Sequence, residues 1–160
     1  MKGLKLTILA LSLIVISGCS VPSKVVDVYF FQDVKLVPVE RDLPTNEDPV
    51  TIAVDQLMKG PNDQESSKGF VTVIPSGTRA RSVSVVGDAA IIDLNDQLSN
   101  FSGGRENAER IVAQIVDTAT SVKGIKKVIL ELEGKDQFTL GGSEEGYVID
   151  HPLEKDDVKI

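Results

Sequence analysis

His151, the only histidine of the chain, lies between Asp150 and Pro152, and a histidine beside an acid is two thirds of a nucleophilic triad. Serines are plentiful enough to supply the third member. Yet no Gly-x-Ser-x-Gly elbow is present to expose a serine on a strained strand-to-helix turn, so a turn is the simpler reading of His151. Asp93 with Asp96, and Glu144 with Glu145, could act as acid and base. Hydrolysis of a glycosidic bond needs two carboxylates facing each other across a sugar cleft. Stacking platforms for sugars or bases are unexpected in a chain without tryptophan and with only 4% aromatic residues. Gly141 to Gly146 is acidic and flexible but lacks the spaced oxygen ligands of a calcium loop. Gly103-Gly104 precedes a long helical stretch, without the Gly-Lys-Ser/Thr ending of a phosphate cradle. Neither a catalytic centre, a metal nor a cofactor is expected.

Two other groups of residues remain. Arg79 and Arg81 stand close together in an acidic chain, just after the turn signature Pro75-Ser76-Gly77-Thr78. Loops on rigid scaffolds carry binding, and arginine is favoured at interfaces. Ser76, Thr78, Arg79 and Arg81 are therefore the candidate partner contacts, against the plainer reading of a turn and two solvated charges. The second is Cys19, the only cysteine. It follows Lys2 and Lys5, an apolar run from Leu6 to Ile16, and the small residues Ser17 and Gly18, the three parts of an export signal. The run is about half of what a permanent membrane helix needs. Ile16-Ser17-Gly18-Cys19 resembles the lipobox of bacterial lipoproteins, with isoleucine where leucine is commonest. The resemblance implies a diacylglyceryl group on the Cys19 thiol and cleavage before it. Zinc is poorly supported, with one histidine and no thiolate available once Cys19 is acylated. Acyl chains hold a protein on a membrane because each buried methylene contributes about 0.8 kcal/mol.

These elements divide the chain into a signal at 1–18, a lipid-anchored tether at 19–24, one domain at 25–153 and an acidic flexible tail at 154–160. The formal charge is −7, and loss of Lys2 and Lys5 with the signal makes it more negative still. Nucleic acid, which rewards a basic surface with counterion release, is excluded as a partner. Attachment to anionic lipid must come from the acyl chains.

Within the domain, Val25 to Phe31 is rich in β-branched and aromatic residues and predicts a central strand. Leu36 to Glu40 follows as an edge strand because of Pro38. Asp48 and Pro49 open a helix with the stripe Val50, Ala53, Val54, Leu57 and Met58, closed by Gly60-Pro61. Asn62 to Gly69 is expected to be a polar loop. Arg81 to Val86, the turn Gly87-Asp88, and Ala89 to Leu94 predict a hairpin. A second helix spans about Arg105 to Val122, with Ala108, Ile111, Val112, Ile115, Val116, Ala119 and Val122 on one face. Lys127 to Glu133 is a strong strand, and Tyr147 to Ile149 a short edge strand. The expected fold is α+β, a mixed β-sheet of four to five strands with two amphipathic helices packed on one face.

Taken in order, Val28-Tyr29-Phe30, Leu57-Met58-Lys59-Gly60-Pro61, Ile74-Pro75-Ser76-Gly77-Thr78, Val83-Ser84-Val85, Ile92-Asp93-Leu94, Ile115-Val116-Asp117-Thr118 and Val128-Ile129-Leu130 resemble the GerMN domain. That module is named for its occurrence in sporulation and spore-germination proteins, and the resemblance covers about Val25 to Leu153. It implies a fold similar to ring-building-motif domains, a role in envelope assemblies, and no known enzyme activity. The best-known member carries two such domains in tandem, and this chain carries one. The expected protein is a non-catalytic lipoprotein on the outer face of the cell membrane. Its expected partners are the membrane, through acylated Cys19, and an envelope protein, with self-assembly left open. The alternative is a domain that binds or hydrolyses peptidoglycan.

Overall fold

The computed structural model describes residues 25–43, 46–142 and 146–158; Cys19, Glu144 and Glu145 lie outside them. Strand β1 (Val25–Gln32) buries Val26, Val28 and Phe30 on one face, the alternation that a half-buried pleated strand requires. It turns through Asp33 and Val34 into β2 (Lys35–Asp42), and the two pair antiparallel from Val25↔Asp42 to Gln32↔Lys35. Pro38 stands opposite Tyr29 on the outer strand, where its missing amide is tolerated. Helix α1 (Pro49–Lys59) begins where Asp48 accepts a 2.9 Å hydrogen bond from the Thr51 amide, and it ends at Gly60, whose φ is 76°. Val50, Ala53, Val54 and Leu57 are buried as the stripe predicts, and Ile52 joins them.

The segment from Asn62 to Gly69 is not a loop throughout. Asp63–Ser67 forms a short helix, α2, held by a reciprocal cap. The Asn62 side chain accepts from the Glu65 amide, and Glu65 accepts from the Asn62 amide. Five residues are too few to show an apolar stripe, so periodicity could not reveal it. Strand β3 (Phe70–Val71) then pairs with the end of β1, giving the order β2-β1-β3.

The mixed sheet is built from β4 (Ala80–Val86), β5 (Ala89–Leu94), β6 (Lys127–Leu132) and β9 (Leu153–Glu154), in the order β4-β5-β6-β9. The β4–β5 hairpin closes at Val86↔Ala89, as Gly87-Asp88 predicts. A short 3-10 turn at Asp96–Ser99 buries Leu98, and α3 (Gly104–Ser121) then carries the chain across to β6, which pairs parallel with β5. Strand β8 (Tyr147–Ile149) extends no larger sheet; it pairs with β7 (Phe138–Leu140) in a separate ribbon. The tail also departs from expectation. Glu154 pairs with Lys127 in the sheet, Lys155–Asp157 form a 3-10 turn, and Val158 is buried. Leu153 and Val158 anchor this end from either side of its polar residues, so the ordered fold reaches Val158.

The fold is therefore α+β, with a mixed four-stranded sheet, while β1, β2 and β3 form a sheet of their own. Helices α1 and α3 pack on each other and on β1, with α1 also meeting β4 and α3 meeting β6. The apolar stripe of α3 is buried from Ala108 to Ala119. Its neighbouring stripe is polar, with Gln114 and Thr118 buried and Ser121 partly so. Thr118 Oγ1 accepts from the Tyr29 amide at 3.0 Å, Gln114 Nε2 donates to the Tyr29 carbonyl at 2.9 Å, and Ser121 Oγ donates to the Asp27 carbonyl at 3.0 Å. The stretch of β1 beyond the reach of β3 is thus covered by side chains of a helix in place of a strand.

Candidate functional site

Sheets interact with other chains at their edges, because an edge strand carries a row of unmatched amides and carbonyls. The described edges of this domain are blunted, with one exception. β2 carries Pro38 and the charges of Lys35, Glu40 and Asp42. The side of β1 is covered by α3. β3 and β9 have two residues each, and β7 and β8 three. β4 has seven and stands at the end of the mixed sheet.

The orientation of β4 follows from its neighbours. The carbonyls of Asp88 and Leu94 accept from the Lys126, Lys127 and Glu133 amides on the β6 side. Alternation then turns Ala89 and Ile91 toward β4, where they face Val86 and Ser84. The amides and carbonyls of Val83 and Val85 consequently point away from the sheet. Ser82 to Val86 contains no charge and no proline, and Val85 and Val86 are 41% and 65% exposed. The one protective feature is the register shift between Ala80 and Ser82, which places Arg81 on a bulge.

The four residues expected to contact a partner lie at the foot of this strand, in different roles. Pro75 to Thr78 is a tight turn with the Thr78 amide donating to the Pro75 carbonyl and Gly77 at φ 87°, the left-handed value that the third position of a type II turn requires. Asn95 braces it, accepting from the Arg79 amide at 2.9 Å and donating to the Gly77 carbonyl at 3.1 Å. Ser76 is exposed at the tip. Thr78 is buried, and its hydroxyl has no hydrogen-bond partner among the described residues. Arg81 is engaged inside the domain: its guanidinium lies 2.9 Å from Asp93 and 3.5 Å from Glu133. Arg79 makes no ion pair among the described residues, and with Asp55, Met58, Lys59, Thr78 and Ala80 it lines a pocket of about 350 Å³.

The residues weighed for catalysis are dispersed. His151 is exposed and lies 2.8 Å from the carboxylate of its own neighbour, Asp150. Asp93 is held by Arg81 and by the Gly134 amide at 2.9 Å, while Asp96 is exposed beyond the strand end, so the two do not face each other across a cleft. Gly103 stands at the start of α3 with φ 101°, and the Gly104 backbone is approached closely by Gly141, where a Cβ would stand 2.6 Å from the Gly104 carbonyl oxygen. Among the described residues no group of three or more histidines, cysteines, aspartates or glutamates gathers to hold a metal, and no helix is long and apolar enough to cross a membrane.

Two charge pairs with largely buried carboxylates escaped the sequence. Arg41 of β2 pairs with Glu65 of α2. Burial opposes the Glu65 charge, but Arg41 and the Asn62 amide outweigh it and hold the carboxyl below its usual value. Asp117 of α3 is pushed up by burial, against Lys155 at 3.4 Å, whose ammonium also sits over the Tyr29 ring. Only the Asn62-x-x-Glu65 spacing could have signalled the first pair.

Residues 27–138 match the model of a family described as Germane, sporulation and spore germination. The first GerMN domain of the sporulation protein GerM from Bacillus subtilis is similar in structure, with a TM-score of 0.69 at 24% identity, over 84% of this chain and 100% of that one. The tandem GerMN domains of the same protein give 0.66 at 22% identity, and this chain spans 47% of their length. A Clostridium perfringens protein assigned as a lipoprotein gives 0.59 at 19% identity, over 85% of this chain and 90% of that one. No curated protein sequence matches this one.

Proposed function

Because the chain belongs to the Germane family of sporulation and spore germination, and its described residues carry the GerMN fold, we propose that it is a non-catalytic, lipid-anchored module of a cell-envelope or sporulation assembly. It acts on the extracytoplasmic face by binding another envelope protein through β4. The observation that carries this reading is the uncharged, unpaired edge from Ser82 to Val86 in a domain whose other described edges are short, charged or covered. Backbone pairing along such an edge supplies affinity without any catalytic group. In this reading Cys19 carries the acyl anchor. Five residues lie between Cys19 and Val25, so the chain between them can reach at most about 22 Å, and β1 starts close to the bilayer.

A photo-crosslinking residue at Ser84, introduced in living cells, tests the docking edge. The expected product is one dominant adduct with an envelope protein, absent when the same residue replaces Pro38 on β2. Equal adducts from both positions would remove β4 as the docking edge. Capture of wall fragments alone would replace the assembly reading with peptidoglycan binding.

A further inference from the structure

The pocket beside Thr78 is lined by Ala80, the first residue of β4, and so adjoins the N-terminal end of that edge. Its charges are Lys59, from the last turn of α1, Arg79, from the start of the hairpin, and Asp55, one helical turn before Lys59. Neither Lys59 nor Arg79 forms an ion pair among the described residues, whereas Arg41, Arg81 and Arg105 each face a carboxylate. In a chain of net charge −7, two unmatched cations against one acid make a local positive site. Met58 and Ala80 add apolar surface to its lining; the Thr78 hydroxyl is itself buried, without a hydrogen-bond partner among the described residues. The turn that carries Thr78 and Arg79 is braced by Asn95, so the site is held in shape before any ligand arrives.

We propose that the occupant of β4 is an extended segment of a partner protein bearing a carboxylate side chain, and that this carboxylate seats in the pocket between Lys59 and Arg79. The inference rests on β4 being the docking edge. Main-chain pairing to Val83 and Val85 holds the segment, and the pocket selects its charge and sets its register. A lysine at the same place would meet two like charges.

The test uses the full-length chain in detergent micelles and three fluorescent hexapeptides of alternating valine and threonine, ending in Asp-amide, Asn-amide or Lys-amide. Anisotropy is expected to show the Asp peptide binding about tenfold more tightly than the Lys peptide, with a preference that shrinks as salt is added. Lys59→Glu with Arg79→Glu should erase or invert the preference while the Asn peptide binds as before, and Asp55→Asn should sharpen it. Val85→Pro removes an outward amide and should weaken all three peptides together. Equal affinities for the three peptides, with amide shifts confined to Ser82–Val86, would overturn the pocket inference and leave the edge standing. Absence of binding, or shifts elsewhere on the surface, would overturn both.

Discussion

Glu65 and Arg41 show how a polar residue can be structural when its charge is fully answered. Arg41 and Glu65 are 14% and 10% exposed at the side chain, and the pair ties the outer strand of one sheet to the short helix after α1. Removing the charge of one partner leaves the other buried and unmatched. Glu65→Gln is expected to cost about 1–3 kcal/mol at pH 7, read as a lower denaturant midpoint with unchanged slope. Because Glu65 titrates below 4.5 when folded, its contribution is present above that value and is lost as pH falls through the folded one. The gap between wild type and Glu65→Gln should therefore close below about pH 4.5. Asp117 has the opposite sign: its folded value is raised, so its charge lowers stability as pH rises, and Asp117→Asn should reduce that dependence. At Gly141 the constraint is steric. Its φ is 81°, and a Cβ would strike the Gly104 carbonyl, so Gly141→Ala is expected to cost about 2–4 kcal/mol, measured as a fall in melting temperature.

At the scale of elements, α3 has two jobs that one helix rarely combines. Its apolar stripe fills the core, and Gln114, Thr118 and Ser121, spaced four and three residues apart, cap the backbone of β1. Gln114 also accepts from the Val73 amide at 2.9 Å and from the Thr72 hydroxyl at 3.2 Å, so a single side chain joins β1 to the segment after β3. Gln114→Leu preserves the volume but strands a buried donor and a buried acceptor. The expected loss is about 2–4 kcal/mol, with faster amide exchange at Val73 as the local mark. If exchange at Val73 were unchanged, the bridge would not be what holds that segment. The stripe of α1 and its two ends were legible because Asp48, Pro49 and Gly60 each satisfy a local backbone requirement. The polar stripe of α3 was not, since a buried glutamine and a solvated one have the same spacing on a helix.

For the whole molecule, the closing strand decides whether the domain stays closed, and the anchor proposed at Cys19 would decide where it sits. Cys19→Ser is expected to move the protein from the detergent phase to the aqueous phase and to abolish incorporation of labelled fatty acid. Retention in the detergent phase would mean that something other than acylation holds it. Leu153 is fully buried and brings β9 against β6; Leu153→Ala should cost about 2–5 kcal/mol by leaving a cavity. That cost would mark the C-terminal residues as part of the fold and not an appendage. Deleting Glu154 to Ile160 should destabilise too, because Val158 and the Lys155–Asp117 pair go with it.

The two long helices, the β4–β5 hairpin and the family were all legible along the chain, because each depends on neighbours within one or two turns or on the order of short motifs. The turn at Pro75 to Thr78 was legible for the same reason. Tertiary structure alone decided that Arg81 is committed to Asp93 and Glu133 while Arg79 is left unpaired, since the carboxylates that divide them come from β5 and the turn after β6. It alone separated the β1–β2 sheet from the mixed one and laid α3 along the open side of β1. It also left β4, among all the described strands, with a long uncharged edge. Which strand borders solvent is a property of sheet order, and sheet order is set by contacts between residues far apart in the chain.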